Sequence, residues 1–465
     1  MRNLSFEEAR AAMRAVMEWR PSVDYFSGVS TDSRSTRAGD LFFALEGERF
    51  DGHNFVEQAL RKGAQGAVVS RAAPEKLRLP GKGLLRVKDT LAGLGDLARH
   101  YREHLSVRVA AVTGSNGKTT TKEMLKCLLE EDWPVISSEK SYNNFVGLPL
   151  TLFRVEPHHA VVILEMGTNH TGEIANLASI ARPEIGIVTN ISETHLEGLK
   201  NLAGVANAKA ELLDALPQGG LAILNEDDPQ TRKIRGRSKA PVITFGLSEK
   251  ADIFATDIHQ DEKFLSFRWN GKIKVRIPVL GRKNVYNALA AIAAGERLGL
   301  DPKNIPGRLE NFRALPMRME RLEANGVTLI NDAYNANPRS MEAALAELAN
   351  LDGSKRKVFV LGDMCELGES SAAHHRRLGR LAAESGADIL VAVGKESKET
   401  VKGAIEAGFE RKRLRHYDSS EEAERGIEEL VRKGDVVLVK GSRAMGLEVV
   451  VRRILLGRAP THVGG

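Results

Sequence analysis

Short runs of aliphatic and β-branched residues alternate with helical patterns through the middle of the chain. The runs cover positions 107–113, 160–165, 185–190 and 221–225. Strands that alternate with helices form mostly parallel sheets with helices on both faces. Ligands of such sheets bind at the carboxyl ends of the strands, so we expect chemistry at the residues that follow these runs.

After Pro241 the apolar period changes to two. Four segments with this pattern, ITFG, IFATDI, FLSFRW and KIKVRIPV, precede the next helical stretch. Alternating strands of this kind are typical of antiparallel sheets with one face in solvent. The pattern therefore predicts an antiparallel extension of the same domain.

A second α/β pattern begins after the segment ALPMRME at 314–320. Its strands are predicted to start at Val327, Lys357, Asp388 and Asp435, each followed by a helix. The sequence G-x-G-x-x-G does not occur in this region, so the doubly wound pattern does not indicate a dinucleotide site.

The N-terminal part shows short strands and turns around a helix at 54–62, and a helical pattern at 90–104 leads into the central unit. A chain of 465 residues also exceeds what one hydrophobic core supports. We therefore expect an α/β protein with three domains. They are a small α/β N-terminal substrate domain (1–88), a central P-loop ATPase-type parallel sheet with an antiparallel extension (89–313), and a C-terminal Rossmann-like doubly wound domain (314–465).

The composition limits the classes of molecule that this chain is expected to bind. Sixty-seven Lys and Arg residues against 61 Asp and Glu residues leave a net charge of +6, spread along the chain, which fits anionic small molecules. Aromatic residues are only 5% and are not interleaved with basic clusters, so we expect no nucleic acid partner. The first sixteen residues contain no apolar h-region and no apolar run reaches the length of a membrane span, so we expect neither a secretory signal nor a membrane span. Its two cysteines, Cys127 and Cys365, are expected to be buried and reduced, as in a cytoplasmic enzyme.

The segment AVTGSNGKTTTKEM at 111–124 predicts a phosphate-binding loop. Backbone N–H groups of a glycine-rich turn before a helix bind phosphate oxygens, while Lys118 can reach the outer phosphates and Thr119 can hold Mg²⁺. The standard motif would place glycine at Val112, whereas here Gly114 lies only three residues before Gly117. A chance Gly-Lys-Thr turn is the structural alternative, and we favour nucleotide binding.

Two further strand ends carry candidate metal ligands. Glu165 ends the run at 160–165, and His195 lies in the loop beyond the run at 185–190. Thr119, Glu165 and His195 together form a candidate Mg²⁺ site, although an imidazole is a less usual ligand of that ion.

Polar residues at three further sites along the chain have more than one interpretation. Lys209 lies on a predicted helix and, taken alone, is typical of a solvated residue. Asn284 and Asn287 share a helix face, where they fit either a helix cap with an exposed amide or contacts to a base. Turn chemistry explains most of NDAYNANP at 331–338, in which Asp332 is the position best placed for ribose hydroxyls.

In order and spacing, eleven segments resemble the Mur ligase family, ATP-dependent amide-forming enzymes of peptidoglycan precursor synthesis. The resemblance extends over essentially the whole chain. The segments are STDSR with GDLFFALEGERFDGHNF, TGSNGKTTTKEM, SYNNFVGLPLTL, LEMGTNHTGEI, TNISETHLEG, NAKAELL, GRKNVYNALAA, LPMRME, NDAYNANPRSM, VLGDMCELG and VKGSRAMGLE.

The resemblance implies a role for each matching residue. Lys118, Lys209, His195 and Arg318 would be catalytic, and two Mg²⁺ ions would be bound, one by Thr119 and Glu165 and one with the help of His195. Lys209 would be carbamylated and would support the second ion. The ATP site would comprise Thr113, Gly114, Ser115, Asn116, Gly117, Lys118 and Thr119, with Asn287 at adenine, Asp332 at ribose and Arg318 at the phosphates. The substrate site would comprise Ser30, Asp32, Ser33 and Arg34 at the UDP end, and Asn143, Asn144 and Thr168 near the sugar or peptide.

The reaction implied by the resemblance joins D-alanyl-D-alanine to UDP-N-acetylmuramoyl-tripeptide through an acyl phosphate, giving ADP and phosphate, in a monomeric enzyme. One alternative is a ligase of the same family that adds the third residue, diaminopimelate or lysine. The diaminopimelate-adding ligases typically carry a DNPR-type string, where this chain has NANPR at 335–339. A nucleotide-binding protein without ligase activity is the alternative from a different class.

Overall fold

The computed structural model describes residues 2–47, 50–72, 78–139, 142–349 and 355–457. It contains a two-stranded ribbon and three larger, parallel-rich sheets with helices packed against them, which confirms the α/β class. The boundaries at 88/89 and 313/314 stay predictions. Within the described ranges, no helix is both long and apolar enough to cross a bilayer.

The N-terminal sheet has the strand order β2-β7-β6-β5-β4, and β1 pairs with β3. Only β2 runs antiparallel to its neighbour in this sheet. The elements are β1 (Leu4–Ser5), α1 (Phe6–Met13), β2 (Val16–Trp19), β3 (Tyr25–Phe26), β4 (Gly28–Ser30), β5 (Asp40–Phe43), α2 (Val56–Arg61), β6 (Gly66–Val69) and β7 (Gly83–Arg86).

The central sheet has nine strands in the order β16-β15-β14-β13-β12-β11-β8-β10-β9. Its elements are α3 (Thr90–Glu103), β8 (Arg108–Thr113), α4 (Lys118–Leu129), β9 (Val135–Ser137), α5 (Gly147–Phe153), β10 (Val161–Glu165), α6 (Glu173–Ala181), β11 (Ile185–Val188), α7 (Leu196–Leu199), α8 (Leu202–Asp214), β12 (Leu221–Asn225), α9 (Pro229–Ile234), β13 (Val242–Gly246), β14 (Ile253–Gln260), β15 (Leu265–Trp269), β16 (Ile273–Ile277), α10 (Lys283–Leu298) and α11 (Ile305–Glu310).

The predicted antiparallel extension begins later than Pro241. β13 is parallel to β12, and β14 is parallel to β13. Only the pairs β14–β15 and β15–β16 are antiparallel. The prediction was wrong for ITFG. Alternation of apolar and polar residues shows which face of a strand is buried, but it does not show whether the strand runs parallel or antiparallel to its neighbour. Here α9 forms a helical crossover between β12 and β13, and such a crossover returns the chain in the same direction.

The C-terminal sheet has the order β17-β18-β22-β19-β20-β21, and its pairs are parallel except for the β17–β18 hairpin. All four predicted strands are present. The prediction missed the two edge strands, which are short and carry charged residues. The elements are β17 (Glu320–Ala324), β18 (Val327–Asp332), α12 (Pro338–Ala349), β19 (Lys357–Gly362), α13 (Ser371–Glu384), β20 (Ile389–Val393), α14 (Ser397–Glu406), β21 (Leu414–Tyr417), α15 (Ser420–Leu430), β22 (Val436–Lys440) and α16 (Glu448–Leu456).

The two cysteines are not both buried as expected. Cys127 is half-buried on α4, where its thiol contacts the Arg308 carbonyl oxygen at 3.2 Å. Cys365 is exposed in the loop after β19. Both are free thiols. The expectation of burial was wrong for Cys365 because this residue follows the strand and lies in the loop beyond it.

Candidate active site

A cavity of about 510 Å³ lies between the central and C-terminal sheets. Strands β8, β10 and β11 direct their carboxyl ends toward it, as expected for an α/β sheet. Thirteen of the predicted site residues line it. They are Ser115, Asn116, Gly117, Lys118, Thr119, Asn143, Asn144, Glu165, Thr168, His195, Asn287, Arg318 and Asp332.

The loop between β8 and α4 needs its two glycines. Gly114 and Gly117 have φ of +139° and +83°, a region that other residues rarely adopt. A Cβ on Gly114 would lie 2.0 Å from Thr189 Oγ1, and one on Gly117 would lie 2.2 Å from Asn287 Oδ1. The tight spacing of the motif therefore produces a loop that packs closely against two neighbouring segments.

The start of α4 has the properties of an anion site. Among the described residues, no side chain caps the first turn of this helix. The N–H groups of a first helical turn have no partner within the helix, and the helix dipole places partial positive charge there. These N–H groups border the cavity through Gly117, Lys118 and Thr119. A phosphate group would supply the missing acceptors.

Lys118 is folded back over its own loop. Its Nζ donates to the Gly114 carbonyl oxygen at 2.8 Å and to that of Ser115 at 3.4 Å. Burial lowers the pKa of Lys118. Thr113 and Gly114 themselves do not line the cavity. Thr113 is fully buried, and its hydroxyl donates to the Met166 carbonyl oxygen at 2.8 Å. It therefore joins the start of the phosphate loop to the residue that follows β10.

Thr119 and Glu165 form an oxygen-rich cluster beside the loop. The Thr119 hydroxyl donates to Glu165 Oε2 at 2.7 Å, and Asn143 Nδ2 donates to Glu165 Oε1 at 2.9 Å. Arg318, from the segment before β17, donates to Thr119 Oγ1 at 2.9 Å. Hydroxyl and carboxylate oxygens are the ligands that Mg²⁺ prefers, so this cluster fits the predicted ion.

Lys209 is not a solvated helix residue. Only 1% of its surface is exposed, and it does not line the cavity. Within the described part of the chain its ammonium makes no hydrogen bond and no ion pair. Burial, followed by the nearby charge of Lys118, holds the pKa of Lys209 well below its usual value. The single-residue interpretation failed because Ala206, Ala208 and Ala210 make α8 apolar on nearly every side, and such a helix is buried.

Lys209 is buried and makes no ion pair with any residue of the described ranges, which fits the carbamate implied by the resemblance. A charged ammonium in this position is costly, so the neutral amine is favoured. The neutral amine is the form that adds carbon dioxide. A carbamate would place an anion near Lys118 and would suit a second cation.

His195 lies in the loop after β11, directly before α7. Its backbone is left-handed, with φ of +54°, and its carbonyl oxygen accepts from the Leu199 N–H group at 2.9 Å. Its Nδ1 is hydrogen-bonded to Glu366 Oε2 from the loop after β19. The bond to His195 comes first among the causes that lower the pKa of Glu366.

The predicted adenine residue is held by its helix neighbour. Asn287 Nδ2 donates to Asn284 Oδ1 at 2.8 Å, so the two amides share a face of α10 as expected. Both residues line the cavity next to Gly117. Asn284 Nδ2 also donates to the Leu280 carbonyl oxygen at 2.7 Å, and Asn287 Oδ1 accepts from the Thr121 hydroxyl at 3.4 Å. The amide pair is therefore held in place, and Asn287 keeps one N–H group for a further contact.

Asp332 ends β18 and is almost fully buried. Its Oδ2 accepts from Lys440 Nζ at 2.7 Å and its Oδ1 accepts from the Met319 N–H group at 3.0 Å. Burial alone raises the pKa of Asp332, but the Lys440 ammonium reverses this and holds the pKa below its usual value. Asp332 therefore lines the cavity as a carboxylate.

We expect Lys440→Met to destabilise the C-terminal unit by about 3–5 kcal/mol, because it leaves a buried carboxylate without its close partner. The next ammonium, that of Lys283, is 4.0 Å from Asp332 Oδ2. Urea unfolding checks this. A double variant, Asp332→Asn with Lys440→Met, should lose less stability, and a single variant as stable as the wild type would contradict the interpretation.

The predicted UDP residues lie apart from the cavity, at the end of β4 and in the loop that follows it. Arg34 and Asp32 form a salt bridge at 2.7 Å on the surface. Ser30 and Ser33 are buried, and their hydroxyls contact Thr36 Oγ1 at 3.0 Å and Gln58 Oε1 at 2.8 Å. The two serines thus stabilise the loop, and Asp32 and Arg34 are the members of this set that face solvent.

Several cavity residues were not predicted. Asn337 donates to Asn116 Oδ1 at 2.7 Å across the cavity, and the Arg318 guanidinium lies 4.0 Å from the centre of the Tyr334 ring. Lys440 also lines the cavity, and Glu366 lies outside its lining but contacts the cavity residue His195. Both belong to segments that were quoted for the resemblance, VKGSRAMGLE and VLGDMCELG. A lysine at the carboxyl end of a buried strand was the available signal for Lys440.

Comparison with known proteins agrees with this geometry. Models of the Mur ligase family match in three parts: the catalytic domain at residues 25–102, the middle domain at 112–295 and the glutamate ligase domain at 317–443. The UDP-N-acetylmuramoyl-tripeptide--D-alanyl-D-alanine ligase of Escherichia coli is 38% identical over 437 residues, which cover 92% of this chain and 93% of that protein.

Two solved structures are also similar. MurF from Acinetobacter baumannii superposes with a TM-score of 0.89 at 32% identity and covers 98% of this chain and 99% of its own. The MurF ligase from Thermotoga maritima, in complex with ADP, gives a TM-score of 0.81 at 28% identity and covers 92% of this chain and 97% of its own. With the phosphate loop and the domain matches, this similarity shows that the chain belongs to the Mur ligase family.

Proposed function

We propose that this chain is an ATP-dependent ligase that joins D-alanyl-D-alanine to UDP-N-acetylmuramoyl-tripeptide, giving ADP and phosphate. The observation that carries the proposal is the meeting of the phosphate loop, the Thr119–Glu165 cluster and His195 around one cavity. Buried Lys209 does not line this cavity, but it lies close enough to Lys118 and Glu165 for their charges to act on it. The E. coli relative carries this activity in its name. It is also the activity of the MurF ligases whose folds match.

ATP would bind with its phosphates at the first turn of α4. Lys118 would leave the Gly114 and Ser115 carbonyl oxygens, its present acceptors, for the outer phosphates. Arg318 would approach the same phosphates from the opposite wall, with Asn287 near adenine and Asp332 near ribose. The ADP complex of the T. maritima relative supports nucleotide binding by this fold.

Activation of the substrate carboxylate explains why the site carries so much positive charge. A free carboxylate is a poor acyl donor, so the γ-phosphoryl group of ATP would first pass to the terminal carboxylate of the tripeptide. The amine of D-alanyl-D-alanine would then attack this acyl phosphate and expel phosphate. Charge spreads over the phosphoryl oxygens during the first step, and Lys118 and Arg318 would stabilise it by preorganised electrostatics.

Two Mg²⁺ ions would neutralise phosphate charge at this site. Thr119 and Glu165 would hold one, and His195 with carbamylated Lys209 would support the other. Asn143, Asn144 and Thr168 border the same region and would position the peptide or sugar part of the substrate. Asp32 and Arg34 would contact the UDP end.

Two hydrogen bonds that cross the cavity would hold its walls together and so help to exclude water from the reacting groups. Arg318–Thr119 and Asn337–Asn116 join the C-terminal and central sheets. An acyl phosphate is hydrolysed by water, so a closed cavity protects it until the amine arrives.

The alternatives make different predictions for one assay. ADP release is measured with UDP-N-acetylmuramoyl-tripeptide and D-alanyl-D-alanine, and in parallel with the UDP-dipeptide and either diaminopimelate or lysine. We expect turnover with the first pair only. Turnover confined to the second pair would assign the chain to the ligases that add the third residue, and nucleotide binding without turnover of either pair would favour a non-ligase protein.

A further inference from the structure

We propose that Glu366 is a positioning residue for His195, and that it prepares His195 Nε2 to ligate the second divalent cation. This inference rests on the proposed ligase function. Because Glu366 belongs to the C-terminal unit and His195 to the central one, the second cation site would be complete only when the two sheets face each other across the cavity.

The hydrogen bond between the two side chains fixes the chemistry of the imidazole. A carboxylate can only accept, so Nδ1 of His195 must carry the proton that bonds to Glu366 Oε2. In the neutral imidazole, which is the form that binds a metal, the lone pair then lies on Nε2, and Nε2 makes no hydrogen bond within the described part of the chain. His195 also lines the cavity. Metal-binding histidines are commonly oriented in this way by a carboxylate on the other ring nitrogen.

Both residues of the pair have a strained backbone. His195 has φ of +54° and Glu366 has φ of +63°, in the left-handed region that non-glycine residues seldom adopt. The Glu197 N–H group also donates to the Glu366 carbonyl oxygen at 3.3 Å, so the two loops contact each other through backbone as well as side chains. Strain on both sides of one contact is typical of a functional constraint.

The loop that carries Glu366 is anchored firmly in the C-terminal unit. The Met364 N–H group donates to Nε2 of buried His375 at 3.0 Å, and the Cys365 N–H group donates to Ser442 Oγ at 2.9 Å. Asp363, at the base of the loop, accepts from the Ser397 N–H group at 2.7 Å. Three hydrogen bonds within the C-terminal unit therefore hold the residues directly before Glu366.

A matched pair of variants separates positioning from general contact between the units. Glu366→Ala removes the carboxylate that bonds to His195, and Glu366→Gln keeps its size but allows an amide N–H group to bond to Nδ1. Glu193→Gln is the control, because Glu193 lies two residues from His195 and makes its own contact across the units, with His374 at 3.7 Å.

The measurement is Mn²⁺ binding in the presence of ADP, with free Mn²⁺ followed by electron paramagnetic resonance. We expect two classes of site in the wild type. Glu366→Ala and Glu366→Gln should weaken the weaker class about tenfold and leave the tighter class unchanged. Glu193→Gln should change neither class. In a His195→Ala background, Glu366→Ala should have no further effect on Mn²⁺ affinity.

Two results would overturn the inference: unchanged Mn²⁺ affinity in both Glu366 variants, or an equal loss of affinity with and without His195. The ligase assay on the same wild-type preparation keeps the two proposals distinct. If the wild type turns over its substrates but the Glu366 variants bind Mn²⁺ as the wild type does, the positioning role is rejected and the ligase function is retained. The expected Mn²⁺ result without turnover rejects the ligase function and leaves the positioning of a cation-binding His195 supported.

Discussion

Lys209→Ala is expected to lower kcat/KM about a thousandfold, the largest effect of any single substitution in the site. The variant removes the amine that would become an anionic carbamate, and with it the support for the second cation. Lys209 is 1% exposed, and burial holds its pKa well below the usual value, which favours the neutral amine that this chemistry needs. Bicarbonate should not restore activity to the variant, whereas a short-chain carboxylic acid that occupies the vacated space should restore part of it.

Lys233→Ala is the matched control for this prediction. Lys233 is an exposed lysine on a helix of the central unit, so its loss should leave turnover unchanged. Carbon-13 NMR of wild type grown or equilibrated with labelled bicarbonate should show a carbamate signal that Lys209→Ala lacks. Unchanged turnover in Lys209→Ala would exclude the carbamate.

Lys118→Ala is expected to have the second largest effect, a loss of several hundredfold in kcat/KM. In the structure the Lys118 ammonium donates hydrogen bonds to carbonyl oxygens of its own loop. When ATP binds, the ammonium would leave these acceptors and bind the outer phosphates. Lys118→Arg should restore little, because a guanidinium is larger and planar and cannot replace a compact ammonium in a tight loop. Steady-state kinetics with ATP as the varied substrate gives the measurement.

Lys126→Ala provides the comparison on the same helix. Lys126 is partly exposed and pairs with Glu130 at 3.6 Å, away from the cavity. It should retain wild-type kinetics. An equal loss in both variants would indicate that α4 is destabilised, and full activity in Lys118→Ala would remove Lys118 from the ATP site.

The local chemistry of the site was largely predictable from the sequence. The phosphate loop, Glu165 and His195 follow directly from strand ends and turn residues, since the carboxyl ends of parallel strands converge at one edge. The strands at 221–225 and from Val327 were predicted for the same reason, because a buried parallel strand leaves a continuous apolar run in the sequence.

Features that depend on tertiary contacts were not predictable in this way. Nothing near Glu366 in the sequence indicates that it meets His195, which is 171 positions away. The position of Lys440 at the end of a buried strand is visible in the sequence, but its pairing with Asp332 is visible only in the fold. The direction of β13 likewise depends on the crossover through α9. Lys209 is an intermediate case: the alanines around it did indicate burial, but a lysine in isolation indicates solvent.

The contact between Glu366 and His195 also bears on how the enzyme would act. We call the arrangement closed when Glu366 contacts His195. If the second cation site is complete only in that arrangement, closure raises the affinity for the cation, and cation binding stabilises the closed arrangement by the same free energy. Chemistry would then begin only after water has been excluded from the acyl phosphate.

Transfer of oxygen from substrate to phosphate tests the central claim most directly. UDP-N-acetylmuramoyl-tripeptide labelled with oxygen-18 in its terminal carboxylate is incubated with ATP, D-alanyl-D-alanine and the enzyme, and the released phosphate is examined by phosphorus-31 NMR or mass spectrometry. Activation through an acyl phosphate predicts that one labelled oxygen passes into each phosphate released with amide formation. Phosphate released during amide formation without the label would contradict the account.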